Sequence, residues 1–354
     1  MSPRAKPRKQ VAVSERLTAG EPLVEAALQL LPPRFEALRG AVAESLTAGG
    51  DDPEPIHRLR VATRRCATAV DLLKLLIPRD LRQPLLRDLK KLHHACGPAR
   101  DLDIQREFYE RLLSEVDTRD LAVVDLLYER VSLQREKRQQ PMIEELGKRR
   151  SKLERGCDDV LAHLEILRER NPDRCGTLGE VALPLLSRLL RKVRLAPAVC
   201  DATPNQLHQL RIAGKKLRYA CELFEPLLGP EYKRQLTPQL VALQDELGQH
   251  HDSQISGEQL AELRRRWKRK RHESSWDRKP QGLFSWKELS EGMRFVAQTH
   301  AEQGTAAQKR FVQLWPGFST TGFRQPLESR LRELSDAGRM RRPSPRTSRV
   351  DPPS

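Results

Sequence analysis

The stretch Ile56-His57-Arg58-Leu59-Arg60-Val61-Ala62-Thr63-Arg64-Arg65 decides how this chain folds. It is met a second time as Leu207-His208-Gln209-Leu210-Arg211-Ile212-Ala213-Gly214-Lys215-Lys216, at a fixed shift of 151 positions, the distance from His57 to His208. Without a gap, the same shift lays Leu72 on Leu223, Leu92 on Leu243, Gly97 on Gly248, Asp101 on Asp252 and Ile104 on Ile255. One offset holding over this length predicts two similar units in tandem. On a helical wheel advancing about 100° per residue, His57, Arg60 and Arg64 fall on one side. Leu59, Ala62, Cys66, Ala69, Val70 and Leu73 fall on the other. In the second unit His208, Arg211, Lys215, Arg218 and Tyr219 share a side, opposite Leu210, Ala213, Leu217, Ala220, Cys221 and Phe224. Each helix buries one stripe and presents a column of cations.

That column is of one sign. Arg58, Arg60, Arg64 and Arg65 have no acid among them, so the helix gains no ion pairs along its face and pays for like-charge repulsion. A solvated face is the ordinary fate of such residues; a single sign, met twice, points instead to an anionic ligand. Arginine suits phosphate because its planar fork donates two hydrogen bonds at once, and lysine adds point charge. The histidine heading each column either donates to an oxyanion or caps and packs locally. Val61 and Ile212 lie near the cationic side, so a neighbouring helix is expected over part of it. Arg87, Lys91 and His94 share one face of the next helix, and Arg188, Arg191 and Lys192 share another; together with the columns they are candidates to line a common groove.

The whole composition agrees. The 354 residues carry 64 Lys+Arg against 48 Asp+Glu, a net charge of +16, which favours a polyanionic partner. With 38% hydrophobic and 5% aromatic residues, a helical core is affordable, whereas a β-sandwich or large α/β enzyme would want more Val, Ile and aromatics. No run approaches the roughly 18 apolar residues of a membrane span, and no apolar region follows the basic start Met1–Lys9, so no secretory signal is read. Six cysteines at 66, 96, 157, 175, 200 and 221 lack paired spacing and read as idle thiols in a reducing cytosol.

Pro and Gly punctuate predicted helices over 21–48, 56–76, 81–95, 102–116 and 120–165. The break at Asn171-Pro172 and Gly176 reads as a joint. The expected organisation is a basic flexible segment 1–19 and a helical domain 20–318 with halves of about 20–170 and 176–318. A charged insert at 264–282 holds the run Arg264-Arg265-Arg266-Trp267-Lys268-Arg269-Lys270-Arg271, taken as a flexible auxiliary contact. Residues 319–354 have the composition of a disordered tail.

At this point the residues resemble the CHAD family, the conserved histidine α-helical domain. The likeness rests on His57-x-x-Arg60-x-x-x-Arg64-Arg65 and His208-x-x-Arg211-x-x-x-Lys215-Lys216-Leu217-Arg218-Tyr219. Leu92…Gly97-Pro98-Ala99-Arg100-Asp101-Leu102-Asp103 and Leu243-Gln244-Asp245-Glu246-Leu247-Gly248-Gln249-His250-His251-Asp252 resemble the family's helix-closing segments, and Phe311-Val312-Gln313-Leu314-Trp315 its final helix. Coverage is about 20–318. The resemblance implies an all-α fold of two pseudo-symmetric four-helix units with a basic groove between them. It implies binding of inorganic polyphosphate, in the cytoplasm at polyphosphate granules, without catalysis and without a cofactor. Carried over by position, the binding residues are His57, Arg60, Arg64 and Arg65 with His208, Arg211, Lys215, Lys216 and Arg218; Arg58, Arg87, Lys91, His94, Arg188, Arg191 and Lys192 are possible additions. Cys66-Ala67 replace the Leu-Arg expected after the first basic pair, and Gly214 interrupts the second helix at a cost of roughly 1 kcal/mol relative to Ala, which marks a close helix contact. No alternating acidic strands of an adjoining triphosphate-tunnel domain are present, so the stand-alone form is expected.

Two other functions compete. Nonspecific nucleic-acid binding draws on the same counterion release, but aromatic platforms for bases are scarce, with Trp267 the one inside a basic run. A metal-dependent phosphohydrolase would need His250, His251 and Asp252 with His208, or His93 and His94 with Asp101 and Asp103, to converge as ligands. The surrounding Arg and Lys repel a divalent cation, so no metal site is assigned.

Overall fold

The structure, a computed structural model, describes residues 17–48, 52–115, 118–170, 175–194, 202–273, 276 and 280–340. These form thirteen α-helices and, among the described residues, no strand beyond an isolated bridge between Pro22 and Thr177. The first half holds α1 (Leu23–Leu30), α2 (Pro32–Thr47), α3 (Glu54–Leu72), α4 (Arg79–Ala95), α5 (Gly97–Glu115) and α6 (Thr118–Arg170). The second holds α7 (Leu178–Arg194), α8 (Pro204–Leu223), the short α9 (Glu225–Leu228) and α10 (Pro230–Gln235), α11 (Thr237–Lys270), α12 (Trp286–Ser319) and α13 (Arg324–Met340).

The helices form where the apolar spacing and the terminal residues agree. In α3 the buried Ile56, Leu59, Ala62, Cys66, Ala69 and Val70 repeat every three or four residues, behind a proline in the first turn. α8 opens on a capping box in which Thr203 and Gln206 satisfy each other's backbone N–H groups, and Ser285 with Glu288 does the same for α12. α6, at 53 residues, is about 80 Å long at 1.5 Å per residue.

Two hydrophobic cores result. The larger gathers α1–α4, the C-terminal half of α6, α7, α8, the start of α11, the end of α12 and α13. The smaller joins Phe108, Tyr109 and Leu112 of α5, Val123–Val131 of α6, Leu260 and Trp267 of α11, and Leu289, Met293 and Val296 of α12. α3 packs against α8, and α8 against α11. Gly214 makes the second contact possible: a Cβ there would run into the amide of Gln244, itself buried. Gly179 serves the bridge in a similar way, its N–H donating to the Ala19 carbonyl at 2.8 Å.

Three sequence expectations are corrected here. Residues 319–340 are not a disordered tail: α13 buries Phe323, Leu327, Leu331 and Leu334 and packs on α7. Their four-residue rhythm was masked by a charged composition; 341–354 lie outside the described residues. Nor is the segment from Arg264 a flexible insert, since α11 runs on to Lys270 and Trp267 is buried, edge-on to Trp276 at 6.4 Å. At the N-terminus Leu17 and Ala19 are buried in the larger core, so they do not belong to the flexible segment expected over 1–19; residues 1–16 lie outside the described residues. Cys66, Cys96, Cys157 and Cys221 are buried free thiols, Cys175 is a half-buried one, and Cys200 is not among the described residues.

The two cores meet near a buried ion pair. Arg135 of α6 and Asp103 of α5 are each 1% exposed, and the guanidinium Nε donates to the carboxylate at 2.6 Å. Arg135 also donates to Gln139 at 2.6 Å. Removing one partner strands a buried charge, so Asp103→Ala should lower unfolding free energy by about 3–5 kcal/mol, measured by urea denaturation. Replacing both, Asp103→Leu with Arg135→Met, should recover most of that loss.

Candidate anion-binding site

The fold brings part of both cationic columns together. Arg60 and Arg64 of α3 stand half-buried beside Arg211 and Lys215 of α8, close enough that Arg64 disfavours the charge of Arg211 and both arginines of α3 disfavour that of Lys215. α3 holds its arginines through His93 of α4. Arg60 Nη1 donates to the His93 carbonyl at 3.1 Å, and Arg64 Nε donates to His93 Nε2 at 3.2 Å. That second bond requires an unprotonated Nε2. Burial, then Arg60 and Arg64, push the His93 pKa down to about 3, so the ring stays a neutral acceptor. Gly97 lies against Arg60, where a Cβ would sit 3.2 Å from Nη1.

Two aspartates complete the cluster. Asp252 of α11 reaches Arg211 at 3.5 Å, and Asp101 of α5 acts on Arg60 and is itself acted on by Asp252. Burial raises the Asp101 pKa, and the arginines oppose that rise. The acids do not cancel the cations. Among the described residues, Arg60, Arg64 and Lys215 have no carboxylate within 4 Å. Burial, then Arg211 and Arg64, hold the Lys215 pKa down to about 7.

The remaining sequence candidates divide. His208 is half-buried and tilts against His251 at 4.7 Å, next to Arg211 and Lys215. His57 is exposed and feels Arg100 instead. Positions 100 and 251 stand one repeat shift apart, so each histidine meets the residue preceding its aspartate. His57, Arg58, Arg65 and Arg218 line a separate groove of about 910 Å³ between α2, α3 and α8. There the cations are neutralised: Glu222 accepts from Arg65 at 2.8 Å and from Arg218 at 2.9 Å, and Glu44 pairs with Arg58 at 3.1 Å. Val61 faces this groove, half-buried, while Ile212 is exposed. Lys216 is exposed.

The outlying sets are not gathered in. Arg87 lines a shallow recess with Arg79 and Asp80, sharing no residue with the cluster. Lys91 is exposed on α4, and Arg188, Arg191 and Lys192 are exposed on α7; His94 alone borders the cluster, edge-on to His93 at 6.4 Å. Sequence reasoning offers His93 only as a candidate metal ligand and not for the anion site, because the wheel puts His94 on the face with Arg87 and Lys91. The other proposed metal ligands are used elsewhere: Asp103 pairs with Arg135, and His250 Nδ1 lies 3.0 Å from the Gly304 carbonyl. No described helix is long and apolar enough to cross a membrane.

Chemically the cluster is a cation-rich patch with three unpaired charges from two helices, one of them a lysine whose pKa is held down to about 7. Because the folded state binds the Lys215 proton less tightly than an unfolded chain, the charged amine opposes folding below about pH 7, and this penalty is relieved as pH rises from 7 towards 10.5. Site-selective NMR titration of the Lys215 ammonium should give a midpoint near 7. Arg211→Gln should move that midpoint up and Asp252→Asn should move it down, as removing a like or an opposite charge requires.

Comparison with known proteins places the fold. The CHAD domain family model matches residues 29–261, a narrower span than the 20–318 expected, ending short of the basic run of α11. The crystal structure of the CHAD domain from the plant Ricinus communis aligns with TM-score 0.59 at 21% identity, covering 93% of this chain and 97% of that one. PptA from Streptomyces chartreusis aligns with TM-score 0.57 at 16% identity, over 84% and 100%. The comparison with curated proteins returned no match. With two thirds of its length matched by the family model and its helices laid out as in a solved member, this chain belongs to the CHAD domain family.

Proposed function

We propose that this protein binds linear inorganic polyphosphate at the cluster where α3 meets α8, with Arg60, Arg64, Arg211 and Lys215 as its centre. The observation that carries the proposal is the set of three cations, Arg60, Arg64 and Lys215, held together without a carboxylate within 4 Å among the described residues. Protein packing keeps them close against their own repulsion, and a chain of phosphates relieves it. The arginines are fixed by His93 and need little reordering to make charge-assisted bonds. His208 and Lys216 flank the centre, and His57, Arg58, Arg65 and Arg218 form an outer rim whose charge is largely met by Glu44 and Glu222. The cluster draws equivalent positions from each half, which supports reading 20–170 and 176–318 as copies related by a pseudo-two-fold axis. Function without hydrolysis, and residence at polyphosphate granules, complete the proposal.

Affinity should fall steeply with salt, because each phosphate contact releases counterions. Reversing Arg60→Glu with Arg211→Glu should weaken long-chain polyphosphate binding and lower the log-affinity against log-salt slope by about one unit per cation removed. An unchanged affinity in a variant whose circular dichroism is native would end this site assignment. Long-chain polyphosphate should displace duplex DNA at matched charge and salt; failure to do so would turn the reading to nucleic acid. Neutral Lys215 should also gain a proton as the polyanion binds, so calorimetry at pH 8 in buffers of different ionisation enthalpy should show net proton uptake, lost in Lys215→Met.

A further inference from the structure

A second recess opens between α5, α6 and α11. Its volume is about 780 Å³, within the range of roughly 300–1,000 Å³ typical of small-molecule sites. Asp101 is the wall it shares with the cation cluster. Its lining differs in kind from that cluster. Tyr109, Leu127, Val131 and Leu260, all buried, make an apolar floor with the half-buried Leu102 and Leu263 beside it.

Four cations rim this floor: Arg130, Lys137 and Arg138 from α6, and Arg266 from α11. None of the four has a carboxylate within 4 Å among the described residues, since Glu262, on the same rim, pairs with Arg265 at 2.8 Å. Arg130 is half-buried, its guanidinium 5.7 Å from the centre of the Trp267 ring. Burial and the nearby Arg266 both disfavour its charge. Gln134 adds a carboxamide that both donates and accepts. A wholly charged polymer gains nothing from an apolar floor. An anion with a flat, apolar-faced body gains from floor and rim together.

We propose that this recess is a separate site for a nucleoside polyphosphate, its base on the floor near Gln134 and its phosphates on Arg130, Arg138 and Arg266. The site does not depend on the polyphosphate reading, because none of its four cations belongs to the α3–α8 cluster.

The test is titration of the full-length protein with ATP and, separately, with tripolyphosphate, which carries the same phosphates without the base. Calorimetry gives affinity. ATP should bind at least about tenfold more tightly than tripolyphosphate. Arg130→Gln with Arg266→Gln should weaken ATP by about tenfold or more, as loss of charged hydrogen bonds predicts, and leave long-chain polyphosphate affinity within about twofold. ATP binding should persist in the Arg60→Glu, Arg211→Glu variant. Equal affinity for ATP and tripolyphosphate, or ATP binding unmoved by the Arg130 and Arg266 pair, would overturn the proposal. So would loss of ATP binding on reversing Arg60 and Arg211 in a natively folded variant.

Discussion

Like charges held together with too few acids to pair them are the constraint around which this molecule is organised. Arg60, Arg64, Arg211 and Lys215 come from two helices that touch, and among the described residues a single carboxylate, Asp252, comes within 4 Å of one of them, Arg211. Such an arrangement costs free energy: burial, and then Arg211 and Arg64, hold the Lys215 pKa down. What offsets it is burial behind the columns. Leu59, Cys66, Ala69 and Val70 of α3, and Leu217, Ala220 and Cys221 of α8, are each essentially withdrawn from water. At about 25 cal/mol per Å² of apolar surface, that stripe outweighs repulsion between partly solvated cations.

The cluster also shows how a small residue and a neutral ring shape a charged site. Gly214 lets α11 close onto α8, which sets Asp252 and His251 beside Arg211. His93, unprotonated, gives Arg64 an acceptor where a second imidazolium would add repulsion. The rim solves the same problem by ordinary pairing, with Glu222 joining Arg65 of one half to Arg218 of the other.

Much of the fold could be read from the chain because α3 and α8 carry a clean separation of apolar and cationic sides, and because proline and glycine mark their ends. The wheel's stripe on α3, Leu59, Ala62, Cys66, Ala69 and Val70, is buried, and Pro55, Ile56 and Thr63 are buried with it. The family followed from the doubled motif. The wheel could not show how far each column extends into the shared cluster, since that depends on the crossing of α3 and α8. Arg65 and Arg218 sit on the columns by sequence yet turn to Glu222. His93 acts through a backbone carbonyl and a ring nitrogen, which no charge pattern reveals. Composition misled at the ends: arginines in α13 and after Arg264 hid the spacing of Leu327 and Leu331 and of Trp267. Arg130, Lys137 and Arg138 escaped notice among many charges on a long helix, where only the facing wall of α11 distinguishes them.

α6 belongs to both cores, with Val123–Val131 in the smaller and Met142–Leu164 in the larger. The order of synthesis therefore matters. The leading third of this helix leaves the ribosome with only α5 to cover its apolar stripe, and the other walls, around Leu260 and Leu289, are made much later. Until then the nascent chain carries an unfinished hydrophobic strip, and its trailing two thirds can already dock on α2 and α4. Both cores close only when the second half is made, since α13 seals the larger one, and the stage most open to misassembly or chaperone capture is the wait for α11 and α12.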